Sequence, residues 1–84
     1  MNAKHKKTLK SIFTNPVSKS ITWQCIENLF LALDIECVEG KGSRVKFYKD
    51  NLVISFHRPH PAKEAKVYQV KDARNFLIQL GIKP

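Results

Sequence analysis

Residues 56–66, Phe-His-Arg-Pro-His-Pro-Ala-Lys-Glu-Ala-Lys, gather two histidines, two prolines and three cations in eleven positions. Histidine is the side chain whose ordinary pKa lies nearest neutral pH, so His57 suits a general base. Its natural target beside so many cations is a ribose 2′-hydroxyl. The deprotonated 2′-oxygen would attack the adjacent phosphorus while an arginine or lysine balances the charge of the transition state. The competing assignment is a surface histidine hydrogen-bonded to its loop. His60, between Pro59 and Pro61, is held in a stiff extended segment. Such a loop positions a ring well but needs no catalytic reason to be rigid. As a pair, His57 and His60 lack the nearby carboxylates or thiolates that a zinc site requires, and no metal or cofactor is expected.

A second group of candidates lies upstream, where Lys41, Ser43, Arg44 and Lys46 follow and include a glycine-rich turn. With Arg58, Lys63 and Lys66 they can form a continuous cationic surface that binds phosphates irrespective of sequence and weakens with salt. A solvated polar face that keeps a small protein in solution is the bland alternative. Charge alone leaves both readings open. The chain holds 15 Lys and Arg against 7 Asp and Glu, a net +8. Residues 1–20 carry five lysines and no acid, residues 21–40 carry four acids and no Lys or Arg, and the bases return from Lys41 onward. Such a balance leans toward a polyanionic partner, nucleic acid before a membrane surface, although many small basic proteins bind nothing anionic specifically.

The positions of these residues depend on the elements around them. Leu9, Ile12 and Phe13 recur at helical spacing behind the first lysines, and Asn15-Pro16 breaks the pattern, giving a short helix and a loop. Trp23, Ile26, Leu29, Phe30 and Leu33 form one apolar stripe, which predicts a helix over about 21–33 with Ser20 as its cap. The period then changes to two. Ile35 and Cys37, Val45 and Phe47, and Leu52, Ile54 and Phe56 alternate with polar neighbours, predicting three antiparallel strands. Gly40 and Gly42 mark the first turn, and Asp50-Asn51, both tolerant of positive φ, mark a two-residue hairpin. Arg44, Lys46, Tyr48, Val53, Ser55 and His57 then share the face opposite the apolar one. A last helix follows from Val70, Ala73, Leu77 and Leu80, with Gly81 at its C′ position.

Each strand is apolar on one side only and each main helix has a single stripe, so the helices must cover one sheet face and leave the other open. The expected fold is α+β, a single domain over 1–84 with residues 1–19 as a basic N-terminal extension. No apolar run approaches the ~20 residues of a membrane span. The N-terminus has no apolar segment or cleavage site of a secretory signal, which points to the cytoplasm. Cys25 and Cys37 are expected as reduced, half-buried packing residues. No glycine-rich phosphate loop, paired carboxylates or nucleophile elbow appears.

Gly-Lys-Gly-Ser-Arg-Val-Lys-Phe-Tyr at 40–48, followed by residues 56–81 through the closing Phe-Leu-Ile-Gln-Leu-Gly, resembles the HicA toxins of type II toxin–antitoxin pairs over about residues 20–82. The resemblance implies a double-stranded-RNA-binding-domain-like fold, metal-independent cleavage of mRNA and neutralisation by a HicB-type antitoxin. Gly42-Ser43, His60-Pro61 and Lys63-Glu64 match the family's pattern. The resemblance also implies a catalytic histidine directly after the Gly-Ser of the first turn, where this chain has Arg44. Three arrangements are open: His57 takes over as base, Arg44 keeps substrate binding while cleavage is weak or absent, or this branch uses another constellation. A non-catalytic RNA-binding module is the alternative function. The cationic face also suits an acidic antitoxin, whose complementary charge would speed encounter.

Overall fold

The computed structural model describes residues 1–84 as helix α1 (Ala3–Ile12), helix α2 (Trp23–Ala32), strands β1 (Glu36–Glu39), β2 (Arg44–Lys49) and β3 (Leu52–His57), and helix α3 (Val67–Gln79). The three strands form one antiparallel sheet in the order β1-β2-β3. The fold is α+β, as the change of period requires.

The alternation in β2 and β3 fixes which face is covered. Val45, Phe47 and Phe56 are buried, while Arg44, Lys46, Tyr48, Val53, Ser55 and His57 are exposed. Asp50 and Asn51 both take positive φ, 51° and 67°, the conformation of a type I′ turn, and this holds Lys49 opposite Leu52. Once that pair is set, every later pairing follows, including Arg44 opposite His57.

Helix α2 starts two residues later than the apolar stripe suggests. Its N-cap is Thr22, whose side chain accepts from the Cys25 N–H, and Ser20 instead exchanges hydrogen bonds with Ser18. Thr22 is held outside the helix because it makes a β-bridge with Glu64, so its extended backbone makes it the cap. Helix α3 buries Phe76 and Gln69 as well as the expected Val70, Ala73 and Leu77. It ends in a Schellman motif: Ile82 N–H donates to the Leu77 carbonyl and Gly81 N–H to that of Ile78, with Gly81 at φ 76°.

Trp23, Phe30, Phe47, Phe56 and Phe76 form a connected aromatic group between helices and sheet, with Trp23–Phe56 and Phe30–Phe47 meeting edge to face at centroid distances of 4.9 Å. Leu9 and Ile12 of α1 belong to the same buried cluster, Ile12 with 0% exposure. The first helix, expected from the spacing of Leu9, Ile12 and Phe13, is therefore part of the packed body. Its seat is secured from α3: Arg74 donates to the carbonyls of Ile12 and Thr14 and to Asn15 Oδ1, at 2.8, 2.9 and 3.0 Å.

Candidate RNA-binding face and its cleft

The uncovered sheet face carries the candidate site. At the end where β2 begins and β3 finishes, Lys41, Arg44, Lys46 and His57 line one cleft of about 440 Å³, with Tyr48 and Ser55 on its floor. Arg44 and His57 are directly opposed residues on adjacent strands, and Lys46 opposes Ser55 one step further in. Opposed side chains on one face lie close enough to act on one small group, with Cβ atoms about 5 Å apart. The turn that delivers Arg44 is tight: Gly40 N–H donates to the Arg44 carbonyl, and a Cβ at Gly40 would come within 3.1 Å of Arg44 Cβ. Gly42, at φ 61°, supplies the left-handed residue that reverses the chain.

His57 is fixed from behind by a residue absent from the sequence-based candidates. Gln69, only 1% exposed, donates its amide to the His57 carbonyl at 2.7 Å and accepts the Lys66 N–H at 2.9 Å. One side chain thus ties the end of β3 to the start of α3. A polar residue on the inner stripe of α3 was the available signal, since a buried amide must find partners for both its donor and its acceptor.

The remaining candidates are not gathered with these four. Arg58 follows His57 in the chain and so points to the helix-covered side. There its Nε donates to Glu27 Oε1 at 2.9 Å and its Nη1 pairs with Glu39. The hydrogen bonds it donates to Glu27 first, then to Glu39, push its already high pKa further up, so it stays cationic while its charge is matched by two carboxylates. Glu27 also accepts from Trp23 Nε1 at 3.0 Å. Ser43 lies in the turn, its carbonyl accepting the Arg58 N–H. His60 is exposed in the loop after β3 and is not among the residues lining the cleft. Lys63 lines a neighbouring groove beside Arg58, and Lys66 is the exposed N-cap residue of α3. Nowhere are three or more His, Cys, Asp or Glu side chains grouped as metal ligands. Both cysteines are free thiols packed against the core, and burial, then the Glu27 charge, pushes the Cys37 thiol pKa up.

A family model described as the HicA toxin of bacterial toxin–antitoxin systems matches residues 23–82, from the first residue of α2 to just beyond α3. The chain belongs to this family. It is thus a HicA-family toxin, and such a toxin has an antitoxin as its partner. No curated protein and no solved structure matches it. Helix α1, docked through Leu9 and Ile12, lies outside the matched residues. No helix is long and apolar enough to cross a membrane.

Proposed function

We propose that this HicA-family toxin is a metal-independent endoribonuclease that cleaves mRNA and is inhibited by a HicB-type antitoxin covering the open sheet face. The observation that carries the reading is the direct opposition of Arg44 and His57 across β2 and β3, in a cleft shared with Lys41 and Lys46. The family resemblance calls for a histidine at position 44. Here arginine stands there and a histidine occupies the opposing position, so a base and a cation are both retained in one cross-strand pair.

His57 takes the proton of the ribose 2′-hydroxyl. The 2′-oxygen bonds to phosphorus, the P–O5′ bond breaks, and the leaving 5′-oxygen is protonated by solvent. Arg44 and Lys46 balance the charge on the phosphorane, Arg44 with two parallel donors suited to phosphate oxygens. The products are a 2′,3′-cyclic phosphate and a 5′-hydroxyl. Arg58 supports this corner structurally, and Gln69 holds the strand end that carries His57.

Expression without antitoxin tests the reading in cells. The wild type should arrest growth with falling mRNA levels, and His57→Ala at equal abundance should be tolerated. Growth at the normal rate with wild-type protein accumulating, together with retained RNA binding, would instead assign the chain to the non-catalytic module that Arg44 in place of histidine suggests.

A further inference from the structure

The second cationic surface of the molecule lies outside the family match. Lys4 and Lys7, one helical turn apart on α1, line a groove of about 360 Å³ whose other wall is the linker and the start of α2, with Ser18, Ser20 and Thr22. No carboxylate lines this groove. The helix is seated rather than trailing, because Asn2 caps it, Leu9 and Ile12 anchor it and Arg74 clamps the segment that follows.

This groove continues into a second one. Thr22 lines it and also lines the adjoining groove of about 460 Å³, which is walled by Gln24, Arg58, Pro61 and Lys63. Arg58 follows His57 in the chain, its side chain turned to the helix-covered side while His57 lines the sheet cleft. A strand leaving Lys41, Arg44 and Lys46 past His57 would round the end of β3 to meet Lys63, and from there Lys7 and Lys4. Glu27 beside it and Glu39, which lines the sheet cleft, are both paired with Arg58, and Glu64, bridged to Thr22, stands at its margin.

We infer that single-stranded RNA follows this path, with the α1 groove as a distal backbone site that holds the substrate beyond the cleavage cleft. The inference rests on the ribonuclease or RNA-binding reading of the sheet face. The groove offers ammonium and hydroxyl donors with few apolar lining residues, which suits phosphates and sugars. Lipid is a poor fit. An amphipathic helix binds a membrane through its apolar side, and on α1 that side, Leu9 and Ile12, is already buried in the core.

The test measures binding of two labelled single-stranded RNAs, about 4 and about 12 nucleotides long, a span typical of single-strand sites, over a range of salt. The protein carries His57→Ala to prevent cleavage. Lys4→Gln with Lys7→Gln should lower the salt slope for the long RNA by about 1.4, at ~0.7 per phosphate contact on a single strand, and change that of the short RNA much less. A charge-matched control, Lys71→Gln with Lys83→Gln, should leave both slopes near their starting values. Equal slopes for the Lys4/Lys7 variant and the control would overturn the distal site. So would an equal fall for both RNAs, or loss of binding to phosphatidylserine vesicles with the RNA slopes intact. Lys41→Gln with Lys46→Gln separates the two readings: if it does not weaken the short RNA, the sheet-face reading fails. If it does and the Lys4/Lys7 variant has no effect, only the α1 site fails.

Discussion

Arg44 and Arg58 flank the same corner of the sheet, where Arg44 opposes His57 and the Arg58 N–H is bonded to the Ser43 carbonyl. They face opposite sides of it. Arg44, with Lys46 and His57, stands on the uncovered face with no carboxylate bonded to it, whereas Arg58 lies against α2 with Glu27 and Glu39 on its guanidinium. The difference comes from strand parity: a one-residue step past His57 moves a side chain from solvent to the helices. A count of cations treats the two alike, yet one is free to meet an anion and the other closes the structure. Arg74, locked onto the end of α1, is of the second kind.

The contrast predicts two classes of variant, one losing activity at constant stability and the other losing stability. The largest effect is expected on the open side. His57→Ala should reduce RNA cleavage by about 10²–10⁴-fold, the range for removing a general base, with an unchanged melting temperature. His60→Ala, in the loop outside the cleft, should only weaken cleavage. On the covered side Ile12→Ala should cost about 2–5 kcal/mol, as for other fully buried isoleucines, measured by urea unfolding. A loss under ~0.5 kcal/mol would mean that α1 is no part of the folded body.

Arg58→Ala should cost about 2–3 kcal/mol, because it strips a partly buried Glu27 of its partner. Arg44→Ala should stay within about 0.5 kcal/mol of wild type in stability, while weakening RNA binding by about 1–2 kcal/mol, as for loss of a charge-assisted contact. Equal stability losses for the two arginines would erase the distinction. The smallest expected effect concerns Cys37. Its folded pKa is raised above the unfolded value, so the thiol stays protonated to higher pH than in the unfolded chain. Its stability contribution is complete below the unfolded pKa and is lost as pH rises through the folded one. Iodoacetamide should therefore modify Cys37 more slowly than an unfolded control at pH 8, the gap narrowing in alkali.

Much of this was legible in the residues. The alternation of Val45 and Phe47 with Arg44, Lys46 and Tyr48, joined to the Asp50-Asn51 turn, is enough to set the sheet and put Arg44 and His57 on one face. What could not be read depends on contacts between distant parts of the chain. Arg58 meets Glu27 across 31 positions, and Arg74 meets Ile12 across 62. A cation's spacing in sequence carries no sign of such partners. Phe76 and Gln69 belong to the inner side of α3 but fall outside the Val70, Ala73, Leu77 and Leu80 stripe. The wider buried face reflects packing on both the sheet and α1.

The most direct measurement is cleavage of a defined mRNA by purified, antitoxin-free protein in excess EDTA, with wild type beside His57→Ala and identification of the new termini. The account predicts cutting by the wild type alone, leaving 2′,3′-cyclic phosphate and 5′-hydroxyl ends. Equal cutting by both proteins, or intact RNA that the wild type nonetheless binds, would contradict His57 as the base.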